Sequence, residues 1–346
     1  MKFVTMILVC IALVGCQEKQ TTIVTTEDEF APFVSAIEDN QAGHLHSLLV
    51  WQDGVKRLEL YRTGPGMYAS QLKPNVPTGP GALHNVHSIT KSFVATLIFI
   101  AIDEGKLASL DTLVFSLFPE YQAQDRAAKM AITVRDVMNM STGYALDELA
   151  VPYGIGNPFN RHYHAKDLLN QFLTTSLAFE PGAKFCYSGL STVGLSKIIE
   201  RLYDQPFNQI MKEKLFTPLG ISNYQWTGQL GSGEAGADWG LMLDTEGLSK
   251  FGLLWLNSGK WQGRQIVSER WQPLLHRGRF FSHGVGYKLH FWQVPRVSGA
   301  FAAFGYGEQY VLVIPSKNAV IVTTAGNYQN KGTPVLDLVE KINWKL

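Results

Sequence analysis

The chain has 346 residues, 46% hydrophobic and 17% charged, which is enough apolar material for a large buried core and excludes a disordered chain. A formal net charge of +1 gives no electrostatic reason to expect nucleic acid or an anionic membrane surface as a partner. Two of the three cysteines, Cys10 and Cys16, fall at the extreme N-terminus, so Cys186 is left without a partner for an intrachain disulfide.

Lys2 is followed by an apolar run from Phe3 to Val14. That is shorter than the roughly 20 residues a spanning helix needs, so residues 1–15 read as a secretory signal. Leu13-Val14-Gly15-Cys16 resembles the bacterial lipobox, which implies lipidation of Cys16; a plain signal with a chance cysteine is the alternative. Two or more acyl chains would anchor the protein stably. Gln17, in place of Asp, points to the outer membrane and so to a periplasm-facing envelope protein. Residues 16–30 are polar and Thr-rich and read as a tether; residues 31–346 read as the folded domain.

Leu45–Trp51 and Val55–Tyr61 flank Asp53-Gly54, a β-hairpin signal. The Gly- and Pro-rich stretch from Gly64 to Gly81 reads as a loop. Ser88 to Glu104 is helical, with Gly105 beyond its end, and it is apolar on nearly every side from Phe93 to Ile102, the mark of a central buried helix. Helices and loops dominate from Leu107 to about Arg270, with a stripe at Leu248, Phe251, Leu254 and Trp255. Strands are expected at Lys288–Val294, Tyr310–Ile314 and Ala319–Thr324, then a closing helix at Pro334–Trp344. Strands come first and last and helices fill the middle. The economical fold is therefore α/β of the α+β type: one antiparallel sheet built from both chain ends (31–105 and 280–346), flanked by helices, with a mainly helical lobe (106–279) inserted.

The chemistry centres on Ser88-Ile89-Thr90-Lys91. Three residues apart at a helix start, Ser88 and Lys91 share a face. A serine hydroxyl needs a base to become a nucleophile, and burial can lower a lysine pKa enough to make it one. The helix start also leaves the Ser88 N–H free to face an oxyanion. Such a tetrapeptide occurs by chance in many chains; its position ahead of an almost wholly apolar helix is what singles it out, because a charge there needs a reason. Tyr187, after the loop Glu180–Ala183, is a second candidate: it could relay a proton to a leaving group or be a core aromatic.

These pieces resemble the serine β-lactamase and D,D-peptidase superfamily. Ser88–Phe93 resembles its S-x-x-K motif and Ala101–Leu107 the end of its central helix. Ile132–Gly143 is similar to its "I-T-I-R-x-L-L-x-M-T-S-G" stretch, Tyr187 to its Tyr-x-Asn motif, and Leu215–Gly220 to a further signature. The resemblance runs in order from about Leu48 to the C-terminus and is closest to the class C β-lactamase-like branch, which includes carboxylesterases and 6-aminohexanoate-oligomer hydrolases. It implies a β-lactamase/transpeptidase-like fold, with Ser88 as nucleophile, Lys91 as its base and Tyr187 as proton relay. Two departures stand out. Gly189 replaces the Asn of Tyr-x-Asn, and the third-motif strand falls at Ala303-Phe304-Gly305, where Ala303 brings no charge. In β-lactamases the Asn and the third-motif Lys hold the substrate, through contacts worth about 1.5–3 kcal/mol each. Their loss argues for an esterase or amidase. On this alignment the Tyr306 N–H joins that of Ser88 in the oxyanion hole.

Other signals carry less. Gly231–Gly236 fits G-x-G-x-x-G but follows no strand pattern, so it reads as a loop. His162 and His164 lack further ligands for a metal site. Cys186 reads as a packing residue on a strand, and no G-x-S-x-G elbow is present. No cofactor and no metal are expected. Three functions are carried forward: acyl transfer from small esters or amides to water on Ser88; a β-lactamase or D,D-peptidase, with a cell-wall peptide as partner; and a non-catalytic binding or sensor lipoprotein.

Overall fold

The computed structural model describes residues 21–25, 30–39, 41–68, 71–121, 126–276, 278–282, 285–294, 297–328, 334–339 and 342. The expected signal and Cys16 lie outside them. Among the described residues, no helix is long and apolar enough to cross a membrane.

One antiparallel sheet of nine strands organises the chain: β1 (Thr21–Thr25), β2 (Leu45–Gln52), β3 (Val55–Arg62), β4 (Phe280–Ser282), β5 (Val285–Lys288), β6 (Phe291–Gln293), β7 (Phe301–Gly305), β8 (Gln309–Ile314) and β9 (Ala319–Ala325). Their spatial order is β1-β3-β2-β9-β8-β7-β6-β5-β4. The two chain ends therefore meet where β2 pairs with β9, Val50 opposite Ile321, as the strand pattern predicts. The β2–β3 turn places Asp53 and Gly54 at φ 52° and 75°, the paired left-handed geometry that suits strand twist. β1 adds an edge within the stretch read as a tether.

Both faces of this sheet are covered, which is why β8 and β9 read as unbroken apolar runs rather than alternating ones. Leu312, Ile314 and Ile321 pack into one core with α1 (Ala31–Glu38) and α5 (Pro334–Val339). Val311, Val313, Val320 and Val322 face the other, larger core. There lie α2 (Ile89–Asp103), α3 (Gly189–Tyr203) and α4 (Thr245–Leu256). Every residue of α2 from Ile89 to Ala101 is buried. Phe93 stacks on Phe251 with ring centroids 3.8 Å apart, so the stripe read on α4 meets the mostly apolar helix face to face.

Two expectations need correction. Lys288–Val294 is not one strand: it bends at Leu289 and His290, at φ 52° and 64°, to make the β5–β6 hairpin. The core pulls this turn in, because His290 N and Nδ1 both reach Met138 O (3.0 and 2.8 Å), its Nε2 meets Thr192 Oγ1 at 3.0 Å, and Leu289 N donates to Asn139 Oδ1 at 3.0 Å. The Gly64–Gly81 loop contains a small hairpin, Gly66–Tyr68 against Gln71–Lys73.

Candidate active site

Ser88 caps the start of α2. The turn into the helix is set by His87 at φ 49°, a left-handed conformation that a side-chain-bearing residue adopts only when its surroundings enforce it. Here Val86 N donates to Leu241 O (3.1 Å) and Thr90 Oγ1 donates to His87 O (2.6 Å), fixing both sides of the turn. One helical turn on, Lys91 Nζ donates to Ser88 Oγ at 3.1 Å and to Asp238 O at 2.7 Å. Its side chain is 3% exposed. The predicted pair is thus joined, and sheltered from solvent by the apolar helix that follows it.

Tyr187 arrives from the coil ahead of α3 rather than from a strand, which corrects the reading of the Cys186 segment. Two backbone bonds hold it: Cys186 N to Met140 O, and Glu148 N to Tyr187 O, both 2.8 Å. Its ring packs on Tyr287 and Trp292, and Lys91 Nζ sits 5.2 Å from its centroid. It lines the same cleft as Ser88. Cys186 is buried, and burial pushes its thiol pKa up; it has the environment of a packing residue rather than a reactive thiolate.

Sequence reasoning missed a second layer of buried charge. The Asp238 side chain is fully buried, with Oδ2 3.9 Å from Lys91 Nζ and 3.0 Å from His162 Nε2, and with Oδ1 accepting from Gln229 Nε2 at 3.0 Å. Glu148 Oε1 accepts from Gly189 N at 2.5 Å, and Tyr153 donates to Oε2 at 3.3 Å. Burial disfavours charge on Asp238, but His162 and Lys91 outweigh it and hold the carboxyl below its ordinary range. Burial pushes Glu148 and Tyr187 up. For Lys91 the expectation reverses. Burial alone would favour the neutral amine, but Tyr187, Asp238 and Glu148 together raise its pKa above the ordinary lysine value.

Ser88 opens into a cleft of about 240 Å³ walled by Tyr153, Tyr187, Trp292, Phe304 and Tyr306. Tyr306 follows β7 directly, so Ser88 and Tyr306 border the same space, as a shared oxyanion hole requires. Gly305 also lines the cleft, and a Cβ there would strike Val86 O; close approach of β7 to the start of α2 explains the glycine. Ala303 is buried in the larger core, while Phe304 stacks on Trp292 and borders the cleft. The third-motif strand therefore offers the cleft aromatic surface and no cation. His162, discounted as a metal ligand, belongs to the Asp238 cluster; among the described residues no group of three or more potential ligands could hold a metal. The one sequence clue to this cluster was Gly189.

The model of the family described as Beta-lactamase matches residues 37–338. An uncharacterized protein from Mycobacterium tuberculosis is 26% identical over 193 residues, 51% of this chain and 45% of that protein, so the chain spans less than half the length of that curated relative. A solved family VIII carboxylesterase superposes with a TM-score of 0.70 at 15% identity, covering 93% of this chain and 99% of that one. A class C beta-lactamase in complex with cefoxitin gives 0.67 at 18% identity, covering 91% and 98%.

Proposed function

We propose that this chain, which belongs to the Beta-lactamase family, is a serine hydrolase that accepts an acyl group on Ser88 from small esters or amides and passes it to water. The observation that carries this reading is the buried 3.1 Å contact between Lys91 Nζ and Ser88 Oγ, made beside an aromatic-walled cleft.

In the proposed reaction the neutral amine of Lys91 takes the proton of Ser88 as Oγ attacks the carbonyl carbon. The Ser88 and Tyr306 N–H groups receive the negative charge on the carbonyl oxygen. Tyr187 gives its hydroxyl proton to the leaving oxygen or nitrogen, and the phenolate is restored through Lys91. Water then attacks the acyl-Ser88 ester by the same transfers in reverse. Because its neighbours hold Lys91 above the ordinary lysine pKa, the neutral working form grows with pH. Turnover therefore rises into the alkaline range.

The cleft supports esters or small amides over β-lactams and cell-wall peptides. At about 240 Å³ it lies below the roughly 300–1,000 Å³ usual for drug-sized ligands. Gly189 and Ala303 supply neither the amide nor the cation that would grip a β-lactam. Steady-state kinetics with p-nitrophenyl acetate, p-nitrophenyl butyrate and nitrocefin test this choice. The expected result is ester kcat/KM at least about 100-fold above that for nitrocefin, a ratio that corresponds to about one or two lost charge-assisted contacts. Comparable values would favour the β-lactamase or D,D-peptidase reading, and no turnover of any of them would favour a binding role. The lipobox-like Cys16 supports placing this activity on a lipid anchor in the bacterial envelope, facing the periplasm.

A further inference from the structure

We infer that the Asp238 carboxylate is the resident counter-ion and positioning group of Lys91, seated in the volume above Gly189 that an asparagine side chain would otherwise fill. The inference rests on the proposed role of Lys91 as the base for Ser88.

The two arrangements compete for the same space. A Cβ on Gly189 would collide with Asp238 Oδ2 and come within 2.8 Å of His162 Nε2. An asparagine at Gly189 would require the Asp238–His162 pair to move from its present position. Two donors hold the carboxylate: Gln229 Nε2 on Oδ1, and His162 Nε2 on Oδ2. The same residue's backbone carbonyl receives the Lys91 ammonium at 2.7 Å. One residue thus fixes where Nζ sits and what charge it faces. A neutral amide in this place would leave the amine easier to deprotonate; a carboxylate keeps it charged until the pH is high.

The groups around Lys91 that can titrate or carry charge come from several elements. They are His87 at the start of α2, Glu148 and Tyr153 from the preceding coil, His162, Tyr187 ahead of α3, His290 in the β5–β6 turn, and Asp238 itself. Glu148 is the other carboxyl, and burial raises its pKa; Asp238 Oδ2 lies 3.9 Å from Lys91 Nζ.

The test is the pH dependence of kcat/KM for p-nitrophenyl acetate in wild type, Asp238→Asn, and the double variant Gly189→Asn with Asp238→Ala. Removing the carboxylate moves the rising limb to lower pH by about one to three units, whatever happens to the plateau rate. Damage to the scaffold alone would lower the plateau and leave the limb in place. The double variant puts a neutral amide into the vacated volume and shifts the limb in the same direction. A limb unmoved in both variants, with wild type active through Ser88, overturns the inference and leaves the hydrolase reading intact. Failure of both variants to fold overturns it as well, since Asp238 would then serve the fold rather than Lys91. Wild type without Ser88-dependent turnover sinks the hydrolase reading and this inference together.

Discussion

Tyr187 shows how one side chain can be both packing and chemistry. Its ring is buried against Tyr287 and Trp292, while it borders the cleft beside Ser88 with Lys91 Nζ 5.2 Å from its ring centroid. If it delivers the leaving-group proton, its loss should matter most where the leaving group cannot depart as an anion. Tyr187→Phe is expected to lower kcat for a p-nitroanilide or an alkyl ester by roughly 10²–10⁴-fold, and that for p-nitrophenyl acetate distinctly less, because nitrophenolate leaves unprotonated. Equal losses on all three substrates would mark a structural role. At this scale the Ser88–Lys91 contact was legible in the sequence, because spacing and an apolar helix are local signals. The Asp238–His162–Glu148 cluster was not. Its members are up to 90 positions apart, and nothing in the sequence says that three separate segments converge behind Lys91. Only Gly189, a missing side chain, hinted that something else fills that space.

At the scale of elements, the hairpin, α2, α4 and the paired β8 and β9 follow from local rules: a turn dipeptide, a helix stop at Gly105, an apolar stripe, two strands around Pro315–Asn318. The β5–β6 hairpin was missed because its turn residues, Leu289 and His290, are not turn formers. Tertiary hydrogen bonds to Met138, Asn139 and Thr192 impose the bend. That device has a consequence for stability. Burial lowers the pKa of four histidines at element ends or edges: His46 in β2 to about 4, His84 to about 3, His87 before α2 to about 4, and His290 to about 3. Below the ordinary value of 6.5 the unfolded chain binds these protons and the folded one does not, so stability falls as pH falls. The contribution is whole above pH 6.5 and is lost progressively down to about pH 3. Thermal unfolding between pH 7.5 and 4 should show Tm dropping through this window. Replacing His84 with Gln should flatten the slope, and a slope unchanged in that variant would contradict the assignment.

At the scale of the molecule, the chain ends build the sheet, the sheet carries β7 to one wall of the cleft, and the inserted helical lobe brings Tyr187 and Asp238 to the other. Ser88 lies between them at the start of the most buried helix. Family membership and fold agree with this architecture, and the proposed function makes the site an acyl-transfer centre for small esters or amides. Its most direct test is intact-protein mass after incubation with p-nitrophenyl butyrate, for wild type and Ser88→Ala, with tryptic mapping of any adduct. The account predicts a butyryl-sized increment on wild type, mapped to the peptide bearing Ser88 and absent from the variant. An adduct that persists in Ser88→Ala, or ester turnover that survives that substitution, would contradict it.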